Sequence, residues 1–261
     1  MSDIMTCMPF GQLMEWVLQE KSGKDTVFGV HRPYTINADH NLTIFERTLE
    51  TPVGPAAGPH TQLAQNIIAS YYAGARFFEL KTVQKMDGAE LSACVNKPCI
   101  LADDEGYNCE WSTELTVPDA MSEYIKAWFI LHVMAKEFNL GAQDGFQFNI
   151  SVGYDLEGIK GDKVNTFIDG MMEAKDTAVF QECKKWLLDN ADRFHNFTRE
   201  DIEAIPSAIC NSATISTLHG CPPQEIESIA NYLLTEKHLN TFVKCNPTLL
   251  GYDFARKTMD E

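Results

Sequence analysis

The side chains best able to do chemistry fall at the ends of short apolar runs. Lys81 and Thr82 sit near the end of Ala75–Val83, and Lys244 lies near the end of Thr241–Cys245, with Asn246 and Thr248 just beyond. A lysine in a run of buried character is costly unless it meets an anion or an acceptor. Two of them, each at the end of a run, point to a shared ligand; a buried ion pair such as Lys81 with Glu79 is the alternative. Gly54, Ala56, Ala57 and Gly58 are small enough to let a flat ring lie against backbone. Ser151, Gly153, Tyr154 and Asp155 close a further run. Ser216, Thr217, His219, Gly220 and Cys221 close another. There Pro222 fits the first position of a helix and Cys221 the position before it. A thiol so placed meets the positive end of the helix dipole, which favours thiolate and base or nucleophile work. A cysteine that packs at a turn is the competing reading, and His219 reads equally as a hydrogen-bonded turn residue. Glu225 and Glu227 complement the same dipole without any catalytic role.

The elements that must position these groups alternate between strand and helix. Phe10–Glu20 predicts an amphipathic helix with Phe10, Leu13, Met14, Val17 and Leu18 on one side, and a polar, turn-rich stretch runs on to about Asn41. Five β-runs follow: Thr51–Gly58, Ala75–Val83, Phe146–Val152, Ala213–Thr217 and Thr241–Cys245. Helices are predicted between them at about Thr61–Ala73, Met121–Glu137, Val164–Glu173 and Pro222–Glu236, with a charged insertion at Ala178–Asp192 and a last helix at Tyr252–Glu261. The aromatic residues of Tyr124–Phe138 fall at helical spacing and are expected in the core. Strand and helix in alternation mean a parallel α/β sheet. Neither GxGxxG nor GxxxxGK[ST] occurs, which favours a (β/α)8 TIM barrel, incomplete here, with its site at the strand C-terminal ends. Residues 1–50 read as a helical and irregular extension, and 51–261 as a partial barrel truncated after strand five.

Composition excludes several classes. With 37 acidic and 21 basic residues and a formal charge of −16, a general nucleic-acid surface is not expected. No basic n-region opens the chain and no run approaches the ~18 apolar residues of a membrane span. Eight cysteines occur without a CxxC pair, so neither a zinc site nor a four-cysteine iron–sulfur run is predicted, and reduced thiols in a cytoplasmic protein are expected.

Several segments together resemble a known family: Thr51–Asn66 (TPVGPAAGPHTQLAQN), Phe78–Gln84 (FELKTVQ), Ser151–Lys160 (SVGYDLEGIK), Ser216–Pro223 (STLHGCPP) and Asn240–Gly251 (NTFVKCNPTLLG). They look like the N-terminal region of the bacterial selenate reductase subunit family, large flavoproteins related to dihydropyrimidine dehydrogenase and more distantly to dihydroorotate dehydrogenase. The resemblance implies a barrel of the FMN-linked oxidoreductase type, with Val53, Gly54, Ala56 and Ala57 against the flavin and Lys81, Thr82 and Lys244 holding it. Lysines there would stabilise negative charge on the reduced ring. It also implies a small heterocyclic or oxyanion substrate. Electrons would come from NAD(P)H through FAD and 4Fe-4S centres in redox domains or subunits outside this chain.

Two positions depart from the dihydropyrimidine dehydrogenase pattern. Thr217 stands where its catalytic cysteine is found, and Asp155 where it has a substrate-binding asparagine. Both weaken pyrimidine reduction as the activity, and leave Cys221, Thr217, His219 and Asp155 as the residues expected to face substrate. A non-catalytic barrel acting as an assembly or electron-transfer scaffold is the alternative. The expected site holds no metal. Five barrel strands with open apolar edges also predict a poorly stable or aggregating isolated chain.

Overall fold

The structure is a computed structural model that describes residues 5–34, 36, 41–81, 83, 85–94, 115–153, 155–216, 221–245 and 250–260, with backbone only at 91, 92 and 94. Thr82, Thr217 and His219 lie outside the described residues, as do Tyr154, Asn246 and Thr248.

The chain begins with α1 (Phe10–Lys24), whose Phe10, Leu13, Met14 and Val17 are buried as the spacing predicts. An antiparallel hairpin follows, β1 (Leu42–Ile44) and β2 (Arg47–Leu49). This hairpin lies between the turn-rich stretch that ends near Asn41 and the first β-run at Thr51, and the reading of residues 1–50 as helical and irregular does not include it. Its two-residue loop, Phe45-Glu46, has φ of 47° and 63°, the double left-handed geometry that usually calls for Asn-Gly. Burial explains the exception, because the Phe45 ring packs on Phe242 at 4.9 Å.

The remaining elements are α2 (Ala64–Ala73), β3 (Phe77–Glu79), α3 (Gly88–Cys94), α4 (Val117–Glu137), β4 (Gln147–Val152), α5 (Leu156–Lys160), α6 (Asp162–Met172), α7 (Ala178–Asp189), α8 (Arg199–Ala204), β5 (Cys210–Ile215), α9 (Pro223–Asn231), β6 (Asn240–Val243) and α10 (Tyr252–Asp260). Strands β3-β4-β5-β6 form one parallel sheet in that order. The α4 helix is capped by Thr116, whose hydroxyl accepts from Asp119 N–H, and is buried around its whole circumference from Glu123 to Ala135. Its Trp128 and Phe129 lie in the core, as helical spacing predicts.

The first β-run, Thr51–Gly58, forms no strand, yet it does lie alongside β3. Phe77 N–H donates to Val53 O at 3.3 Å and Glu79 N–H to Pro55 O at 3.2 Å. The return bond to Phe77 O would need an N–H at position 55, and Pro55 has none. Contact is nonetheless close: a Cβ on Gly54 would sit 1.4 Å from Phe77 O. Among the described residues the sheet therefore has four formal strands and a proline-interrupted fifth segment. The later runs keep their places with shifted limits, Cys210–Ile215 and Asn240–Val243.

The two faces of the sheet differ in chemistry. Phe78, Phe148, Ile150, Val152, Ala213 and Ile215 make the apolar face, buried together with the helices in one core. On the other face Gln147 donates to Ser212 Oγ at 2.9 Å, and Asn149 to Thr214 Oγ1 at 2.7 Å. That face is strongly concave. Three strand spacings would hold β3 and β6 roughly 14 Å apart in a flat sheet, but the Phe77 and Phe242 rings meet at 5.9 Å. Glu79 and Lys244 meet at 3.4 Å. Such curling is the curvature of a barrel wall.

Below the strands, Arg76 and Glu50 form a buried ion pair at 2.7 Å, with side chains 1% and 9% exposed. Removing one partner leaves the other charge buried and alone, at a cost of about 3–5 kcal/mol. Glu50→Ala is expected to lower the stability by roughly that amount, read as the midpoint of urea unfolding followed by circular dichroism. An unchanged midpoint would show that the pair does not hold the fold.

Candidate active site

Residues at the C-terminal ends of the strands gather into two groups. The first centres on Glu79, whose side chain is 14% exposed. Its Oε2 accepts from Ala57 N–H at 3.2 Å, where a regular ladder would offer a backbone carbonyl. Its carboxylate also faces Lys244 Nζ, at 3.4 and 3.5 Å from the two oxygens. Glu79, named above as an alternative partner for Lys81, forms an ion pair with Lys244. Lys81, two residues on, is buried at 5% exposure. Asn149 lies opposite Glu79 in the β3–β4 register. Its Nδ2 is engaged by Thr214, while its buried Oδ1 has no partner.

The wall beside this group is the Thr51–Gly58 segment. Val53 is 64% exposed, Gly54 and Ala56 are exposed, and Ala57 is half-buried. Gly54 owes its lack of a side chain to the approach of Phe77 O, a structural reason that holds with or without a ligand.

The second group joins the loops after β4 and β5. Asp155 caps α5, its Oδ1 accepting from Gly158 N–H at 2.7 Å. Glu225 Oε1 accepts from Leu156 N–H at 2.6 Å. Glu225 therefore ties two strand-end loops together, in addition to complementing the dipole of α9. Cys221 sits beside both carboxylates. The helix starts one residue later than expected: Pro223 opens it, Pro222 occupies the cap, and Cys221 lies outside. Partial burial raises the Cys221 thiol above its ordinary value, and the charges of Glu225 and Asp155 raise it further. That direction runs against the thiolate reading and agrees with the competing one, a cysteine that packs at a turn.

Glu79 and Asn149 were missed as site residues in the sequence, although a signal was present. Polar residues recur at every second position in Gln147-Phe-Asn-Ile-Ser151, and Glu79 lies two before Lys81. In strands whose alternate residues are strongly apolar, that period marks an inward polar face.

Among the described residues no cluster of histidine, cysteine and carboxylate could hold a metal, and no helix is long and apolar enough to cross a membrane. A curved parallel sheet with helices on its apolar face and ionisable groups at its strand ends defines an α/β protein of the TIM-barrel class. The model of the family described as "Oxidoreductase YgfK, N-terminal TIM-barrel domain" matches residues 28–261, and the chain belongs to that family. It is 46% identical over 274 aligned positions to YgfK of Escherichia coli strain K12, and equally to YgfK of Escherichia coli O157:H7. Each alignment covers 100% of this chain and 26% of the relative, so the chain spans about a quarter of their length. Among solved structures, ligand-free DHODH from Eimeria tenella aligns with a TM-score of 0.42 and 16% identity, over 92% of this chain and 69% of that one.

The Cys221 environment has a direct test. Alkylation of Cys221 by iodoacetamide, followed by peptide mass spectrometry, is expected to accelerate with an inflection above the free-thiol value of about 8.5. Glu225→Gln keeps an acceptor for Leu156 N–H but removes a negative charge, so the inflection should move to lower pH. An inflection below that of a free thiol in the unsubstituted protein would show that the helix dipole prevails.

Proposed function

We propose that this chain supplies the flavin-facing wall of an oxidoreductase that acts on a small heterocyclic or oxyanion substrate. The observation that carries the reading is the concave sheet face, where Lys81 and Lys244 stand at two strand ends beside the open amide oxygen of Asn149. These residues fit an FMN-type flavin. Two ammonium groups suit a ring that becomes anionic on reduction, and a buried acceptor without a partner suits a ring N–H.

When bound, the flavin would supply two-electron chemistry that no side chain here can provide. Lys81, Thr82 and Lys244 would hold it, with Val53, Gly54, Ala56 and Ala57 as the wall behind. Cys221, kept protonated by burial and by Glu225 and Asp155, carries a proton that it can give to substrate. Asp155, Thr217 and His219 would orient that substrate. Thr217 is a poor proton donor at neutral pH, which leaves Cys221 as the acid. The resemblance to selenate reductase subunits and to dihydropyrimidine dehydrogenase supports NAD(P)H as electron source, through FAD and 4Fe-4S centres elsewhere in a longer, cytoplasmic protein. The division into a 1–50 extension and a 51–261 barrel portion belongs to the same reading.

The alternative is a non-catalytic barrel acting as an assembly or electron-transfer scaffold.

The full-length protein, purified with FMN supplied, is expected to be yellow, and Lys81→Ala should weaken FMN binding at least tenfold in a fluorescence titration. A colourless full-length protein would sink the flavin assignment. A flavin-loaded protein whose absorbance never bleaches with NAD(P)H or with any candidate substrate would favour the scaffold.

A further inference from the structure

A second cavity, of about 330 Å³, opens at the other end of the sheet, below the N-terminal ends of β4 and β5. It touches none of the strand-end residues discussed above. Arg47, Glu46, Asp144, His132, Trp128 and Phe146 line it. Its volume lies at the lower end of the range of about 300–1,000 Å³ for small-molecule sites.

Two features mark it as more than a packing defect. His132 is 3% exposed and its Nε2 is buried without a hydrogen-bond partner. A buried ring nitrogen left open is uncommon and costly. Burial, reinforced by the charge of Arg47, pushes the His132 imidazole down to about 3, so it is neutral at physiological pH and carries one donor and one acceptor. Arg47 is half-buried, yet among the described residues it makes no ion pair, although two carboxylates line the same cavity. Glu46 and Asp144 are likewise exposed and unpaired there. The cation and the anions thus line one cavity without an ion pair between them, and Trp128 and Phe146, whose rings meet at 5.2 Å, form part of its wall.

We propose that this cavity binds a small zwitterion of the α-amino-acid class, its carboxylate on Arg47 and its ammonium towards Glu46 and Asp144. A guanidinium fork suits a carboxylate. The ring walls suit an apolar side chain or stem, and the His132 ring, packed on Trp128 at 4.6 Å, belongs to that wall. A simple monoanion fits less well, because it would sit against two carboxylates for one guanidinium. A dianion such as phosphate fits worse.

The test is titration calorimetry on the full-length protein with glycine, L-leucine, L-methionine, L-glutamine and L-phenylalanine, each compared with its deaminated acid and decarboxylated amine. Inorganic phosphate serves as a further comparator. At least one amino acid should bind saturably, and its two truncated analogues at least tenfold more weakly. Arg47→Ala should weaken that binding at least tenfold and Asp144→Asn about fivefold, with circular dichroism unchanged. Should Arg47→Ala not fold, Arg47→Lys and the exposed Asp144→Asn carry the comparison. Binding by none of the five, equal binding of a deaminated acid or of phosphate, or affinity indifferent to these folded variants would each overturn the proposal. Because FMN is absent from the titration, the result is independent of the flavin reading.

Discussion

Everything above the floor of this sheet depends on one buried charge network. Arg76 Nε donates to Glu50 at 2.7 Å, Nη1 to Tyr71 O and Ala75 O at 2.9 Å each, and Nη2 to Leu140 O at 2.7 Å. The guanidinium lies over the Tyr71 ring at 4.0 Å. Glu50 returns an acceptor to Ala142 N–H at 2.6 Å, and its own N–H donates to Gly145 O. Gly141 and Gly145 cannot be anything larger, because a Cβ at either would come within 2.2 or 2.5 Å of the Glu50 carboxylate. The end of α2, the turn before β4 and the start of the Thr51 segment are therefore pinned at one point. A buried ion pair contributes little net stability over an apolar replacement, but it fixes geometry tightly.

That geometry propagates upward. With Thr51 anchored to Gly74 O at 2.9 Å, Gly54 is set against Phe77 and Ala57 against Glu79. Pro55 deprives this segment of a ladder bond to Phe77 O, so the floor network and the Glu79 carboxylate hold its register from either end. The same arrangement explains why the concave face is polar. Gln147, Asn149, Ser212 and Thr214 bond one another across β4 and β5. They still leave Gln147 Oε1 and Asn149 Oδ1 open, at about 1–3 kcal/mol each. A core chosen for stability alone would carry valine or isoleucine there.

Much of this was legible in the sequence, and the exceptions have physical causes. The runs ending at Val152 and Thr217 could be recognised because their apolar residues alternate on a sheet buried on both faces. The breadth of α4 burial follows from apolar residues on every side of Tyr124–Phe138. The Thr51–Gly58 run lies alongside β3 as read, but Pro55 denies it a bond that would define a strand. The hairpin at Phe45-Glu46 was invisible because its turn residues are bulky, and only a distant ring, Phe242, makes them tolerable. The surroundings of Cys221 were hidden for a similar reason: the helix dipole is a local signal, while Asp155 arrives from a loop 66 positions earlier. Local chemistry can be read along the chain, but partners brought by the fold cannot.

The partner that matters most for the proposed site is Glu79. Its position between Ala57 and Lys244 makes it both a piece of backbone ladder and an electrostatic neighbour of the strand-end lysines. At 3.4–3.5 Å from Lys244, it holds that ammonium loosely. Lys244 is also 38% exposed, so it can turn towards a ligand without leaving the carboxylate behind in an apolar core. Replacing Glu79 would remove the carboxylate from beside Lys244 and would also release Ala57 and the wall it belongs to. One side chain therefore sets both the charge beside Lys244 and the position of that wall, and neither can be adjusted alone.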